Sequence, residues 1–187
     1  MAISTYQTQR GRLEEYFDRT AVGAWEQLTS TAPVSKIRAT VRAGRDRMRS
    51  LLLEWLPADL SGLRILDAGC GTGALSVEVA QRGAETVGVD VAGNLIAIAR
   101  ERLPATLQPD LITFQAGDML DEAHGSFDHA VAMDSLIHYR VDDIARALAA
   151  LAPRVRRSIV FTVAPRTALL SVMHAAGRFF PAGDRAP

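Results

Sequence analysis

Residues 64–73 read Arg-Ile-Leu-Asp-Ala-Gly-Cys-Gly-Thr-Gly, and this segment restricts the possible folds more than any other part of the chain. Its apolar start ends at the acid Asp67. Three glycines then alternate, at Gly69, Gly71 and Gly73, and a helical pattern follows. This order predicts a buried strand, a tight turn and a helix start, where glycines permit positive φ and bring the backbone close to a ligand. The acid before the glycines favours a ligand that is positively charged or rich in hydroxyl groups.

The composition predicts a single globular unit without a strong electrostatic bias. The chain has 187 residues, of which 48% are hydrophobic, enough for one domain with a sizeable core. It carries 21 basic and 21 acidic residues, a balance that argues against a nucleic-acid binder. One cysteine, Cys70, excludes a disulfide framework within the chain. Neither a secretory signal nor an apolar stretch of the ~20 residues that a membrane span needs is visible, which predicts a cytoplasmic protein.

Two regions differ in their patterns. Residues 1–60 read as helical, with Pro57 ending the pattern, whereas residues 61–187 alternate apolar strands with helices of about ten residues. The sequence therefore predicts an α/β fold: one structural domain in which an N-terminal helical segment precedes a doubly wound, Rossmann-like parallel sheet. The predicted strands are residues 63–67, 85–90, 111–115, 127–133 and 158–163, and a last helix is predicted over 167–180.

Acidic residues follow the predicted strands. Asp67, Asp90, Asp118 and Asp134 each fall at or just after a strand end. In doubly wound sheets, ligands bind outside the carboxyl ends of the strands. We therefore expect these acids to mark one binding rim.

Two cofactors compete for the glycine turn. Residues 69–74 satisfy the G-x-G-x-x-A pattern of dinucleotide-binding dehydrogenases. Asp67 favours S-adenosylmethionine instead, because its charge opposes a pyrophosphate and suits an ammonium group or a bridging water. Asp90 fits either cofactor, since a carboxylate there accepts both ribose hydroxyl protons. Asp118 is expected to bind an adenine amino group, the alternative being a turn cap.

We therefore predict a site that binds S-adenosylmethionine and releases S-adenosylhomocysteine. A turn with a purely structural role is the remaining alternative, and Cys70 is expected to be a small packing residue rather than a nucleophile. The predicted cofactor residues are Asp67, Gly69, Cys70, Gly71, Asp90, Val91, Asp118, Met119 and Met133.

The segment after the fourth strand, residues 133–139, carries the candidate catalytic histidine. It lacks the two prolines that follow an acid or Asn in enzymes that methylate nucleic-acid amino groups, so adenine-amine methylation is disfavoured. His138 is placed to orient an oxygen nucleophile or to act as a base, and its alternative role is packing at a helix start.

Five segments of the chain carry a family resemblance: Tyr16-Phe-Asp-Arg-Thr-Ala21 with Trp25, the basic residues 38–49, the turn 67–73, Ser135-Leu-Ile-His-Tyr139 and the strand 159–162. Together they resemble the magnesium protoporphyrin IX O-methyltransferases of (bacterio)chlorophyll biosynthesis, within the class I S-adenosylmethionine-dependent superfamily. The glycine turn is generic to that superfamily, whereas the two aromatic segments are more specific.

The resemblance implies esterification of one propionate of Mg-protoporphyrin IX. It implies catalytic roles for Tyr16, which would close an N-terminal lid, and for His138, which would orient the reacting carboxylate. Arg38 or Arg42 is expected to pair with the other propionate. Met173 is expected to line an apolar porphyrin slot, the alternative being a core-facing position on the last helix. The magnesium belongs to the substrate, so no metal site in the protein is predicted.

The resemblance also implies partners. The family is expected to contact the porphyrin-binding subunit of magnesium chelatase. A basic, mildly amphipathic N-terminal helix permits peripheral contact with the photosynthetic membrane.

One departure and two alternatives remain at this point. The superfamily sheet usually ends in an antiparallel strand hairpin, which is expected to be missing here, so that the fifth strand becomes an open edge. The alternatives are a methyltransferase for another small carboxylate or phenol, such as a quinone precursor, and a non-catalytic S-adenosylmethionine-binding module.

Overall fold

A parallel sheet lies at the centre of the part of the chain that the computed structural model describes, residues 5–20, 23 and 36–163. The strands are β1 (Arg64–Ala68), β2 (Glu85–Asp90), β3 (Ile112–Ala116), β4 (Phe127–Ala132) and β5 (Val155–Phe161). The helices are α1 (Thr5–Glu15), α2 (Lys36–Glu54), α3 (Ala74–Gln81), α4 (Gly93–Glu101) and α5 (Val141–Leu151), and a π-helical segment, Tyr16–Thr20, continues α1.

The sheet has the order β3-β2-β1-β4-β5, and every neighbouring pair is parallel. This arrangement confirms the predicted doubly wound α/β sheet. The strand order reverses between β1 and β4, which creates a crevice at their carboxyl ends. The predicted last helix and the predicted absence of a C-terminal hairpin fall on residues after 163, outside the described part of the chain.

The predicted start of the fifth strand was wrong. The strand begins at Val155, three residues before the predicted 158, and includes the exposed residues Arg156 and Arg157. Charged side chains are tolerated there because β5 lies at an edge of the described sheet, where they reach solvent. Their charge concealed the strand from a search for apolar runs.

The central strands are buried on both faces. All six residues of β4 are buried, and Ile65 and Leu66 of β1 are both completely inaccessible. Successive side chains of a strand point to opposite faces. Leu66 therefore packs with Phe127 in one core cluster, whereas Ile65 packs with Leu53 of α2 in another. Burial on both sides holds the strand ends, and thus the rim, in place.

The N-terminal helix α1 is attached through a few apolar contacts. Tyr6 and Leu13 are buried, and Tyr6 joins the core cluster that contains Leu66. Most of the other residues of α1 are exposed or half-buried. The helix therefore rests on the core with one narrow face.

Helix α2 packs on the opposite side of the sheet through its last turns, where Leu52 and Leu53 are buried and Leu51 is exposed. Across the described residues, the structure contains no helix with both the length and the apolar character to cross a bilayer.

Replacing Leu53 with alanine should destabilise the protein much more than the same change at Leu51. Leu53 is 3% exposed and Leu51 is 42% exposed, and both lie on α2, so the change in helix propensity is shared. A buried Leu→Ala substitution costs about 2–5 kcal/mol, whereas an exposed one stays within about 0.5 kcal/mol. Urea unfolding measures both. Equal losses would mean that α2 does not pack through this face.

Candidate functional site

A cavity of ≈ 570 Å³ opens at the carboxyl ends of β1, β2 and β4. Its volume lies in the range that small-molecule sites occupy, and the N-terminal helices cover part of its mouth. Nearly all of the predicted cofactor residues line it: Asp67, Gly69, Cys70, Gly71, Asp90, Val91, Met119 and Met133.

The glycine turn packs directly against the segment that follows β4. Gly69 has a φ of +83°, and a Cβ placed on it would lie 2.2 Å from the Cβ of Ser135. The Ser135 hydroxyl donates to the Ala68 carbonyl at 2.7 Å, which closes the contact. A side chain at position 69 would therefore force the turn and the post-β4 segment apart, and with them two walls of the cavity.

Two backbone N–H groups, one from the glycine turn and one from the start of α4, hold the Asp90 carboxylate. Its Oδ2 accepts the N–H of Gly71 at 2.8 Å, and its Oδ1 accepts the N–H of Ala92 at 2.9 Å. Each carboxylate oxygen has two acceptor positions, so both oxygens retain capacity for a further donor. Burial raises the pKa of Asp90, against the lowering effect of these hydrogen bonds. The geometry suits a ligand with two adjacent hydroxyl groups.

Asp67 is buried at the floor of the cavity, only 1% exposed. Burial raises the pKa of Asp67 to about 7, the hydrogen bond from Ser76 opposes this rise, and the nearby charge of Asp90 adds to it. The Ser76 hydroxyl donates to Asp67 Oδ2 at 2.5 Å. A cationic group in the cavity would favour the charged carboxylate, so the site is electrostatically suited to a cation.

Asp118 is the exception among the predicted cofactor residues, since it lies outside the lining that the described residues form. Its Oδ1 accepts the Tyr6 hydroxyl at 2.7 Å and the Leu120 N–H at 2.9 Å. Its Oδ2 accepts Gln7 Nε2 at 3.2 Å and Arg10 Nη1 at 3.3 Å. Four donors fill the acceptor positions of a carboxylate. In this arrangement Asp118 holds α1, and its contact with an adenine amino group stays a prediction.

An aromatic pair forms the wall next to Asp118. The rings of Tyr6 and Tyr139 stack with centroids 4.9 Å apart, and both residues line the cavity. Burial raises the pKa of Tyr139 to about 12 and also raises the pKa of Tyr6, so both hydroxyls stay neutral. Sequence reasoning missed Tyr6 because a single tyrosine in a polar helix gives no periodic signal.

His138 lines the cavity, as the catalytic prediction requires, whereas Tyr16 lies outside the described lining. The Tyr16 ring packs edge-on against Phe17 at 5.0 Å, and the Phe17 ring packs edge-on against His138 at 5.7 Å. Of Tyr16 and Phe17, it is therefore Phe17 that reaches the cavity, a residue for which the sequence predicts no role. Burial lowers the pKa of His138, against the effect of Asp134, so the imidazole is neutral at pH 7.

Helix α2 presents arginines to the cavity at helical spacing. Arg42, Arg45 and Arg49 all line it, and Arg45 forms an ion pair with Asp134. Arg42 thus lies where the substrate prediction needs it. The side chain of Arg38 and the whole of Met173 lie outside the described part of the chain. Arg45 was missed, although its three-residue spacing from Arg42 was a usable signal.

Two family models match the chain. A model described as a methyltransferase domain matches residues 65–158, from the second residue of β1 to the middle of β5. A model described as "Magnesium-protoporphyrin IX methyltransferase C-terminus" matches residues 132–187.

Curated relatives match over nearly the whole chain. The magnesium-protoporphyrin O-methyltransferase of Rhodobacter capsulatus is 52% identical over 185 residues, which cover 98% of this chain and 82% of that protein. The magnesium-protoporphyrin O-methyltransferase of Synechocystis is 31% identical, covering 90% of this chain and 74% of that protein.

Solved structures agree with the sequence relatives. The crystal structure of magnesium protoporphyrin IX methyltransferase from Synechocystis with bound SAH matches with a TM-score of 0.81 at 29% identity, covering 91% of this chain and 78% of that chain. The same protein with bound SAM matches with a TM-score of 0.72. These matches confirm the resemblance carried by the sequence segments. The chain belongs to the magnesium-protoporphyrin O-methyltransferase family, with a class I S-adenosylmethionine-dependent methyltransferase fold.

Proposed function

We propose that this chain transfers the methyl group of S-adenosylmethionine to a propionate carboxylate of Mg-protoporphyrin IX, forming the monomethyl ester and S-adenosylhomocysteine. The observation that carries the proposal is the 52% identity to the Rhodobacter capsulatus enzyme over 98% of the chain. The cavity adds physical support, because its residues suit both a cation and a diol.

Bound S-adenosylmethionine supplies an electrophilic methyl group on a positively charged sulfur. Asp90 accepts hydrogen bonds from the ribose hydroxyls, and Asp67 at the cavity floor favours the positive charge. Val91, Met119 and Met133 provide apolar surface beside them. Asp118 contributes indirectly, by holding α1 against the cavity through Tyr6.

The reaction needs positioning more than proton transfer. A propionate has a pKa well below 7 and is ionised before it binds, so no strong base is required. One carboxylate oxygen must face the methyl group in line with the breaking carbon–sulfur bond, and water must be excluded. The neutral imidazole of His138 donates one hydrogen bond to the other oxygen and fixes this orientation. Phe17 supports the ring from its edge.

The N-terminal segment acts as a lid in this proposal. Tyr6, Leu13 and Phe17 line the cavity from the segment that precedes α2, which supports the idea. Tyr16 assists through Phe17, against which it packs. We also propose that residues 1–60 form a helical segment that covers the site and that residues 61–187 form the cofactor-binding core.

Location and protein partners are part of the same proposal. We expect a cytoplasmic protein with peripheral contact to the photosynthetic membrane, and contact with the porphyrin-binding subunit of magnesium chelatase. The basic excess of α2, one lysine and five arginines against two acids, supports attraction to an anionic surface. Co-sedimentation with anionic vesicles and pull-down with that subunit would test each contact separately.

Incubation of the protein with S-adenosylmethionine and Mg-protoporphyrin IX should yield the monomethyl ester, detected by chromatography, with an equal amount of S-adenosylhomocysteine. A phenolic quinone precursor serves as the competing substrate. Methylation of the phenol alone would support the alternative of a methyltransferase that acts on a quinone precursor. Cofactor binding without any methylated product would support the non-catalytic module.

Replacing His138 with alanine should lower kcat by about 10- to 100-fold, because the carboxylate loses its orienting donor. The dissociation constant for S-adenosylhomocysteine should stay within about twofold, since the imidazole is assigned to the substrate. His138→Asn, which retains a donor, should recover part of the rate. Ile137→Ala, in the same turn but on an exposed side chain, is the control. Equal kcat values for wild type and His138→Ala would contradict the assigned role.

Cofactor binding should release protons near neutral pH. Asp67 has a raised pKa of about 7 in the free protein, so at pH 7 about half of the molecules carry a proton there. A bound cation lowers that pKa, so binding expels the proton, and affinity should rise with pH until Asp67 is ionised. Calorimetry in buffers of different ionisation enthalpy measures the release.

Asp67→Asn should remove most of this proton release, whereas Asp110→Asn, at an exposed site away from the cavity, should leave it unchanged. Identical proton release in wild type and Asp67→Asn would show that another group titrates.

A further inference from the structure

Arg45 and Asp134 form an ion pair at the cavity, and the reaction steps described above use neither residue. Arg45 comes from α2 and Asp134 from the segment after β4. Their side chains are 20% and 17% exposed, so the pair is largely shielded from water. A charged pair that lines a ligand cavity at this burial is a candidate for ligand recognition.

Asp134 is the fixed member of the pair. It has a φ of +56°, a conformation that non-glycine residues rarely adopt and that persists only where the surroundings impose it. Its N–H donates to Thr162 Oγ1 at 2.8 Å. The next residue, Ser135, is tied to Ala68. The Asp134 carboxylate is therefore held at a set position, and the long Arg45 side chain is oriented by it.

The environment of Arg45 favours a further anion. Burial lowers the pKa of Arg45 and the charge of Arg49 adds to the lowering, whereas the carboxylates of Asp134 and Asp46 oppose it. Arg42 also lines this side of the cavity. A desolvated guanidinium beside other arginines gains when an additional negative charge binds. Its planar fork of five N–H donors matches the geometry of a carboxylate.

We infer that Arg45, oriented by Asp134, is a carboxylate-binding residue of the cavity. The inference rests on the proposed function, since both ligands of that reaction carry the required group. The carboxylate comes either from the methionine part of the cofactor or from a propionate of the porphyrin. Both sources present the same group, a carboxylate, and the experiments below distinguish them.

Calorimetry with S-adenosylhomocysteine and with its decarboxylated analogue tests the cofactor as the source. If Arg45 binds the methionine carboxylate, Arg45→Met should weaken the binding of S-adenosylhomocysteine by about 10-fold or more. The affinity for the decarboxylated analogue should stay unchanged. Arg45→Lys should lie between wild type and Arg45→Met, because it retains charge without the planar fork. This arm needs no turnover, so it stands even if the proposed substrate is wrong.

Steady-state kinetics with Mg-protoporphyrin IX tests the substrate as the source. Here Arg45→Met should raise KM for the porphyrin by about 10-fold or more while the affinity for S-adenosylhomocysteine is unchanged. Asp134→Asn should shift the affected constant in the same direction by a smaller factor, because it loosens the orientation of Arg45. Failure of the proposed function itself would appear differently, as wild-type protein that does not methylate the porphyrin.

Arg47→Met is the matched control, since Arg47 lies on α2 with an exposed side chain. It should change neither constant. The inference is overturned if Arg45→Met and Arg45→Lys, both folded by circular dichroism, leave the affinity for S-adenosylhomocysteine and the porphyrin KM within about twofold of wild type.

Discussion

The close approach of Gly69 to Ser135 is the contact on which the site depends. The absence of a side chain at Gly69 lets the turn after β1 touch the segment after β4, and the Ser135 hydroxyl fastens the two together. Because the two strands are adjacent and parallel, this contact brings their carboxyl ends to one rim. Asp67 and His138 face one cavity only because the two segments meet there.

Desolvation sets the charge state of that cavity. Burial raises the pKa of Asp67 and Asp90 and lowers the pKa of His138, so that each of these groups favours its neutral form more than it would in water. A cavity of this kind gains from a bound cation, which relieves the cost of the buried acids. It also suits a methyl transfer that proceeds by alignment, since the reacting carboxylate brings its own charge.

The N-terminal segment contacts parts of the site that lie far from it in the sequence. Tyr6 reaches Asp118 across 112 positions of the chain. Asp18 accepts the N–H of Asn94, in the first turn of α4 and next to the strand end that carries Asp90. Such contacts tie the covering segment to the part of the rim that would hold a ribose.

The sequence by itself determined the sheet, the rim and most of the cavity lining. Strand and helix periodicity is local, and parallel strands end at one edge, so the sequence alone places Asp67 and Asp90 at the rim. Only the tertiary structure decided which side chains meet. It connected Asp118 to α1, placed Phe17 rather than Tyr16 against His138, and paired Arg45 with a carboxylate beyond β4. These contacts join residues far apart in the chain, and no local pattern encodes such a pairing.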